Sequence, residues 1–327
     1  MTLGIFDGHC DTLTTLKEHE HLYDAQRHFN FKQAEEYPYF TQVLAVWVDA
    51  AREDVDRKVE RFIGKFYEEL ARNPSVTQIK TRQDMERCRK GVNVILGIEG
   101  GEALGRELGR VEAFYKKGVR LITLTWNNPY AISDTCVKTA DRLNGETDYA
   151  GGLTHFGRDV LREMNRFGIM ADVSHLSDKG FYDVAEIAEK PFIASHSNAR
   201  ALCPHPRNLT DDMFRVLIKK GGVAGINFYH SFLRADGGAG SMDDILRHIE
   251  HFMALGGQKN VGIGTDFDGI DYPPDGLAGT RDLGAVIFFV LRDFYGSTQA
   301  VASTEEMKAL VRSIPRESTV SVEGKVI

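Results

Sequence analysis

Eight short apolar runs, each closed by polar residues and followed by an amphipathic charged stretch, constrain this chain more than any other feature. They occupy residues 3–7, 42–48, 92–98, 119–125, 169–174, 191–194, 222–227 and 261–265. Helix-like spacing of apolar residues fills the intervals, for example at 52–71, 105–117, 155–167, 179–189, 211–220, 243–255 and 281–295. A strand that returns to its neighbour through a helix must pair with it in parallel. Eight such repeats predict an α/β fold of the (β/α)8 TIM-barrel type rather than an open sheet. The 327 residues suit one barrel, and no linker rich in Pro, Ser or Gly divides them. Residues 1–327 therefore read as a single domain, with an atypical C-terminal segment at 297–327 where Ser318–Val322 has the pattern of a short strand.

Charge and cysteine usage exclude several classes. Net charge is −7, with both signs mixed along the chain and no basic stripe, so a nucleic-acid partner is not expected. Cys10, Cys88, Cys136 and Cys203 include no CxxC pair, which gives no support to a structural zinc knuckle or a disulfide framework. The opening MTLGIFDGHCDTL reads as a first strand, not a signal peptide, and no long uncharged apolar window marks a membrane span. A cytoplasmic protein without membrane contact is the expectation, and a homodimer is compatible with the sequence.

Polar residues capable of chemistry sit directly after the apolar runs. The first run ends in Asp7-Gly8-His9-Cys10-Asp11 and the third in Glu99-Gly100-Gly101. The fifth ends in Asp172-Val173-Ser174-His175, the sixth in Ser195-His196-Ser197 and the eighth in Asp266-Phe267-Asp268-Gly269. Barrel enzymes build their sites at the C-terminal ends of the strands, so these groups would face one mouth. His9 and Asp11 are two apart, and on an extended strand end both point the same way. Imidazole with carboxylate suits zinc or a similar ion. His175 and His196, from adjacent strands, could hold a second ion, with Glu99 bridging the two through its two oxygens. Two ions so placed would activate a water between them.

Other histidine and glycine patterns fit less well. His19-Glu20-His21 lies in a charged, helix-like stretch away from any strand end, and His248-Ile249-Glu250-His251 lacks the HExxH spacing. Gly262-Ile263-Gly264 lacks the third glycine and the helix of a dinucleotide loop, and Asp266-Phe267-Asp268-Gly269 lacks EF-hand spacing. Gly100-Gly101 reads equally as a tight turn or a close approach to substrate.

The chain resembles the membrane (renal) dipeptidase family of zinc metallopeptidases, in a soluble bacterial-type form. The likeness rests on the strand-end segments above, on Gly97-Ile98-Glu99-Gly100-Gly101, Ser195-His196-Ser197-Asn198-Ala199 and Arg207-Asn208-Leu209, and on Gly264-Thr265-Asp266-Phe267-Asp268-Gly269. The resemblance implies a metallo-dependent hydrolase-like barrel that hydrolyses free dipeptides, including those with a C-terminal D-residue. It implies two zinc ions, one held by His9, Asp11 and Glu99 and the other by Glu99, His175 and His196. It assigns Arg207 to the substrate carboxylate and Asp266 to the substrate amine and the scissile bond. A guanidinium fork suits a carboxylate, and a strand-end carboxylate can carry a proton to a leaving amine. The chain departs from the family after the fourth run, where Trp126 stands in place of a histidine that polarises the substrate carbonyl. That role falls to the metal, to Asn127 or to Asn128, or else Trp126 serves as a wall of the substrate pocket. The alternatives are another amidohydrolase-type metal-dependent hydrolase, disfavoured because His9-Cys10-Asp11 is not HxH, and a non-catalytic metal-binding barrel.

Overall fold

A computed structural model describes residues 4–51, 53–87, 90–127, 131–136, 151–285, 288–293 and 296–301. Strands β1 (Gly4–Cys10), β2 (Tyr39–Trp47), β3 (Thr77–Gln78), β4 (Gly91–Glu99), β5 (Val119–Thr123), β6 (Met170–Asp172), β7 (Ala224–Ile226) and β8 (Val261–Ile263) form one sheet. Its order is β6-β5-β4-β2-β1-β8-β7, with parallel pairing throughout. β3 pairs only with Asn93 and Val94 of β4, below the point where β5 takes over that edge. It is therefore an edge supplement and not a stave.

The sixth apolar run closes the ring without forming a regular strand. Asp172 bridges to Ile193 and Ala194 bridges to Ala224, both in parallel, joining β6 to β7. The Ser195 carbonyl that follows the run packs against glycines of the neighbouring segments. A Cβ on Gly225 or Gly264 would lie 2.0 or 1.8 Å from that oxygen, so only glycine is tolerated on the facing strands. Seven strands and this bridged stave give the eight positions expected from the sequence.

The surrounding helices follow the apolar spacing. The helix Val55–Arg72 starts on Asp54, whose side chain accepts from the Arg57 N–H, and buries Val59, Ile63 and Phe66 on one face. The helix His155–Phe167 starts on Thr154 and ends at Gly168 with φ 82°. The stretch 281–295 is not a helix: a 3-10 turn spans Thr280–Ala285, and β9 (Phe288–Asp293) pairs antiparallel with β10 (Gly296–Val301). Aromatic and β-branched residues dominate Phe288–Asp293, and their β preference overrides the helical spacing. The expected strand at Ser318–Val322 lies outside the described residues. Among the described residues, no helix is long and apolar enough to cross a membrane.

Candidate metal centre

The strand ends converge. His9 Nε2 lies 3.3 Å from Asp11 Oδ2, 3.4 Å from Glu99 Oε2 and 3.8 Å from Asp266 Oδ1. The other oxygen of Glu99, Oε1, lies 3.0 Å from His175 Nε2 and 3.5 Å from His196 Nε2. One carboxylate thus faces two donor groups, one on each oxygen. All of these side chains are buried except Asp266, which is partly open to the mouth.

Neighbouring residues fix how the His175 and His196 imidazoles point, while among the described residues His9 Nδ1 has no hydrogen-bond partner. His196 Nδ1–H donates to Ser195 Oγ at 2.7 Å, and Ser195 Oγ–H donates to Asp172 Oδ2 at 2.6 Å. Asp172 also accepts from Thr123 Oγ1 and from the Ser174 and Ser195 N–H groups, so its buried charge is fully hydrogen-bonded. His175 Nδ1–H donates to Asn127 Oδ1 at 2.7 Å, and His175 reaches this position with φ 71°. Both rings therefore turn an unprotonated Nε2 inward, and these two nitrogens lie 3.0 Å apart. Two lone pairs at that distance repel unless a cation lies between them and Glu99. Among the described residues, Asp11 Oδ1 is buried without a hydrogen-bond partner. These are the properties of a donor set built for divalent cations.

The electrostatics agree. Burial disfavours a charged His9, but the Glu99 and Asp11 carboxylates outweigh it and hold the imidazole well above its usual pKa. Burial, then the His9 charge and Arg207, keep His196 well below its usual value, and burial with Arg207 lowers His175. Burial and the carboxylates of Glu99 and Asp266 raise Asp11, against the pull of His9. A cation bound at His9 would displace the imidazole's proton, and the acids around it would then face the ion's charge.

Asp266 follows β8 with φ 61°, its N–H bonded to His9 O and its Oδ2 accepting from Asn227 Nδ2 at 2.8 Å. A Cβ at Gly269 would lie 2.2 Å from Asp11 Oδ2 and 2.6 Å from Asp266 Oδ1, so this turn closes tightly under both acids. Asp268 does not share their side, as an extended chain would require. Its φ is 67°, and its carboxylate accepts from Thr12 Oγ1 and the His28 N–H instead. Arg207 is buried beside the site; among the described residues its guanidinium meets Ser197 Oγ, His196 O and the face of Phe232, and Nε has no partner. Trp126 is half-buried, its ring centroid 4.9 Å from that of Trp47 and 6.3 Å from that of His175. Asn127 meets His175, and Asn128 lies outside the described residues. Gly100 has φ 100° and Gly101 abuts Leu124 O, which favours the tight turn.

The remaining histidine motifs are structural. His21 Nδ1 meets the buried Glu69 at 2.9 Å, in a turn-rich loop and not a helix. His248 accepts from the Ala199 N–H and reaches Leu233 O, while His251 pairs with Asp211. Asp7, Asp172, Ser195, Asn227 and Trp47 are the supporting residues that the sequence reading leaves without roles. Asp7 accepts from Thr265 N–H and Oγ1, tying β1 to the end of β8.

Glu102, in the 3-10 turn Gly101–Leu104, is a further buried acid. Burial, with the Glu99 charge adding, raises its pKa from 4.5 to about 7. Between these values the folded chain keeps a proton that the unfolded chain has lost. Stability therefore falls as pH rises from 4.5 to about 7. Glu102→Gln should stabilise the fold at about pH 8 by up to roughly 3 kcal/mol and change little near pH 4. Urea unfolding at both pH values checks this; equal effects at the two would contradict it.

A closed parallel barrel with imidazoles and carboxylates gathered at its strand ends is the architecture of a metal-dependent hydrolase. A family model described as membrane dipeptidase, peptidase family M19, matches residues 1–308, and the chain belongs to that family of metallo-dipeptidases. It is 30% identical to a solved metallopeptidase described as dipeptidase AC, with a TM-score of 0.75, covering 86% of this chain and 90% of that one. A metallopeptidase from Rhodobacter sphaeroides, solved with a phosphinate mimic of the dipeptide L-Ala-D-Ala, is also 30% identical, with a TM-score of 0.74 over 87% of this chain and 91% of that one. An uncharacterized dipeptidase from Schizosaccharomyces pombe is 38% identical over 189 residues, 57% of this chain and 44% of its own length.

Proposed function

We propose that the chain hydrolyses the peptide bond of free dipeptides, including those with a C-terminal D-residue, using two divalent ions, expected to be zinc. His9, Asp11 and Glu99 would hold one ion, and Glu99, His175 and His196 the other. The observation that carries this reading is the split of Glu99, whose Oε2 faces His9 while Oε1 faces His175 and His196. When bound, such ions make a water nucleophilic at neutral pH and supply positive charge for the oxyanion of the tetrahedral intermediate. The ligand of the Rhodobacter relative supports the tolerance for a D-residue.

The chain's own groups divide the remaining work. Arg207 grips the C-terminal carboxylate; its guanidinium is already desolvated, and among the described residues its Nε has no partner. Asp266 takes a proton from the attacking water and delivers it to the leaving nitrogen. Asn227 holds its Oδ2, which leaves Oδ1 directed at the site. Asn127 keeps His175 in the tautomer that presents Nε2. Trp126, with Trp47 behind it, forms an apolar wall beside His175 and leaves carbonyl polarisation to the metal.

Hydrolysis of a free dipeptide compared with its C-terminal amide tests this reading. The free acid should be cut and the amide should not. Arg207→Lys keeps the charge but loses the fork, so kcat/KM on the free acid should fall roughly ten- to a hundredfold, the scale of a lost hydrogen bond to a charged group. Equal turnover of acid and amide would overturn the assignment.

A further inference from the structure

The mouth carries an aromatic rim that neither the metal cluster nor the proton donor uses. It starts at Arg207, whose guanidinium carbon lies 5.3 Å from the centroid of Phe232. The Phe232 ring meets Tyr229 edge-on at 4.9 Å, and Tyr229 meets His230 at 4.6 Å. His230 stacks on Tyr272 at 4.8 Å with only 7° between the planes. Tyr229 and the helix His230–Leu233 follow the C-terminal end of β7, and Tyr272 follows that of β8. The stacked pair therefore joins two loops on the face where barrel chemistry occurs.

This rim is held in place. Asn208 Nδ2 donates to both Cys203 O and Phe232 O at 2.9 Å, which ties the Arg207 loop to the aromatic helix. Cys203 Sγ lies 3.3 Å from Ser231 O, and His248 Nε2 lies 3.1 Å from Leu233 O. The Tyr229 N–H donates to Asn227 Oδ1, and Asn227 also holds Asp266. Carboxylate grip, proton donor and aromatic rim thus form one connected frame. Its outer end is open: Tyr272 is 48% exposed.

We infer that Phe232 and Tyr229, backed by the stacked His230 and Tyr272, form the subsite for the side chain of the substrate's C-terminal residue and select aromatic and large apolar residues there. The inference rests on the dipeptidase reading, in which Arg207 takes the carboxylate. A side chain leaves the carbon bonded to that carboxylate, so it must lie within one side-chain length of the guanidinium. On the β7 side, that reach meets the Phe232 ring, 5.3 Å from the guanidinium carbon, with Tyr229 edge-on to it. An aromatic side chain gains stacked or edge-on contact there as well as loss of water; a glycine substrate has nothing to place.

The test is kcat/KM for Ala-Phe and Ala-Gly in the metal-loaded full chain and its variants. The wild type should favour Ala-Phe. Phe232→Ala should lower the Ala-Phe to Ala-Gly ratio by about tenfold, mainly through KM for Ala-Phe. Tyr229→Ala should act in the same direction, and Phe232→Tyr should keep the wild-type ratio. General damage to the mouth would reduce both substrates together and leave the ratio unmoved. An unmoved ratio in both alanine variants, or a wild-type preference for Ala-Gly, overturns the subsite. Turnover of neither dipeptide by the wild type would instead overturn the dipeptidase reading beneath it.

Discussion

Changing Glu99 to alanine is expected to abolish dipeptide hydrolysis and to lower bound divalent metal from about two ions per chain to one or fewer. The effect should exceed that of any other single substitution, because Glu99 contributes to both halves of the cluster. Its loss leaves His175 Nε2 and His196 Nε2 facing each other at 3.0 Å without the acid that draws a cation between them. On the other side, His9 and Asp11 lose the carboxylate oxygen that would complete their half of the donor set. The barrel should survive, since Glu99 ends β4 and its backbone pairing with Trp47 and Thr123 does not need the side chain. Metal analysis beside circular dichroism checks both halves of the claim; a folded Glu99→Ala protein with full metal content and activity would refute it.

Asp266→Asn should keep both metals and lose about 10²-fold or more in kcat, the usual scale for an acid–base group. Asparagine matches the shape of Asp266 and can still meet Asn227, so position is retained while the transferable proton is lost. Steady-state kinetics with metal analysis decide the point: wild-type kcat with metals intact would remove Asp266 from proton transfer.

The parts of this site legible in the sequence are those set by local geometry. Strand alternation marks the ends of eight staves, and the two-residue spacing of His9 and Asp11 places both on one side. The supporting residues were not legible, because their partners are distant in sequence. Asp172 meets Ser195 and Thr123, Asp7 meets Thr265, and Asn227 meets Asp266. Only closure of the barrel brings those pairs together. Period-two alternation, which carries from His9 to Asp11, does not carry from Asp266 to Asp268, since the chain enters the left-handed region at both. The sixth run shows the limit of pattern: its residues are apolar, yet it joins its neighbours through two bridges, and the Ser195 carbonyl that follows packs against Gly225 and Gly264. At 281–295, spacing alone cannot separate a helix from strands rich in Phe and Val. Trp126 is visible as a departure in sequence, but its pairing with Trp47 across the strand ends appears only in three dimensions.

The most direct test of the central claim is the rate of hydrolysis of a free dipeptide as metal-free protein is titrated with zinc. A metal-dependent dipeptidase built on this cluster should start inactive, gain activity with added ion and saturate near about two ions per chain. Full hydrolysis by the metal-free chain, or none at any zinc content, would contradict it.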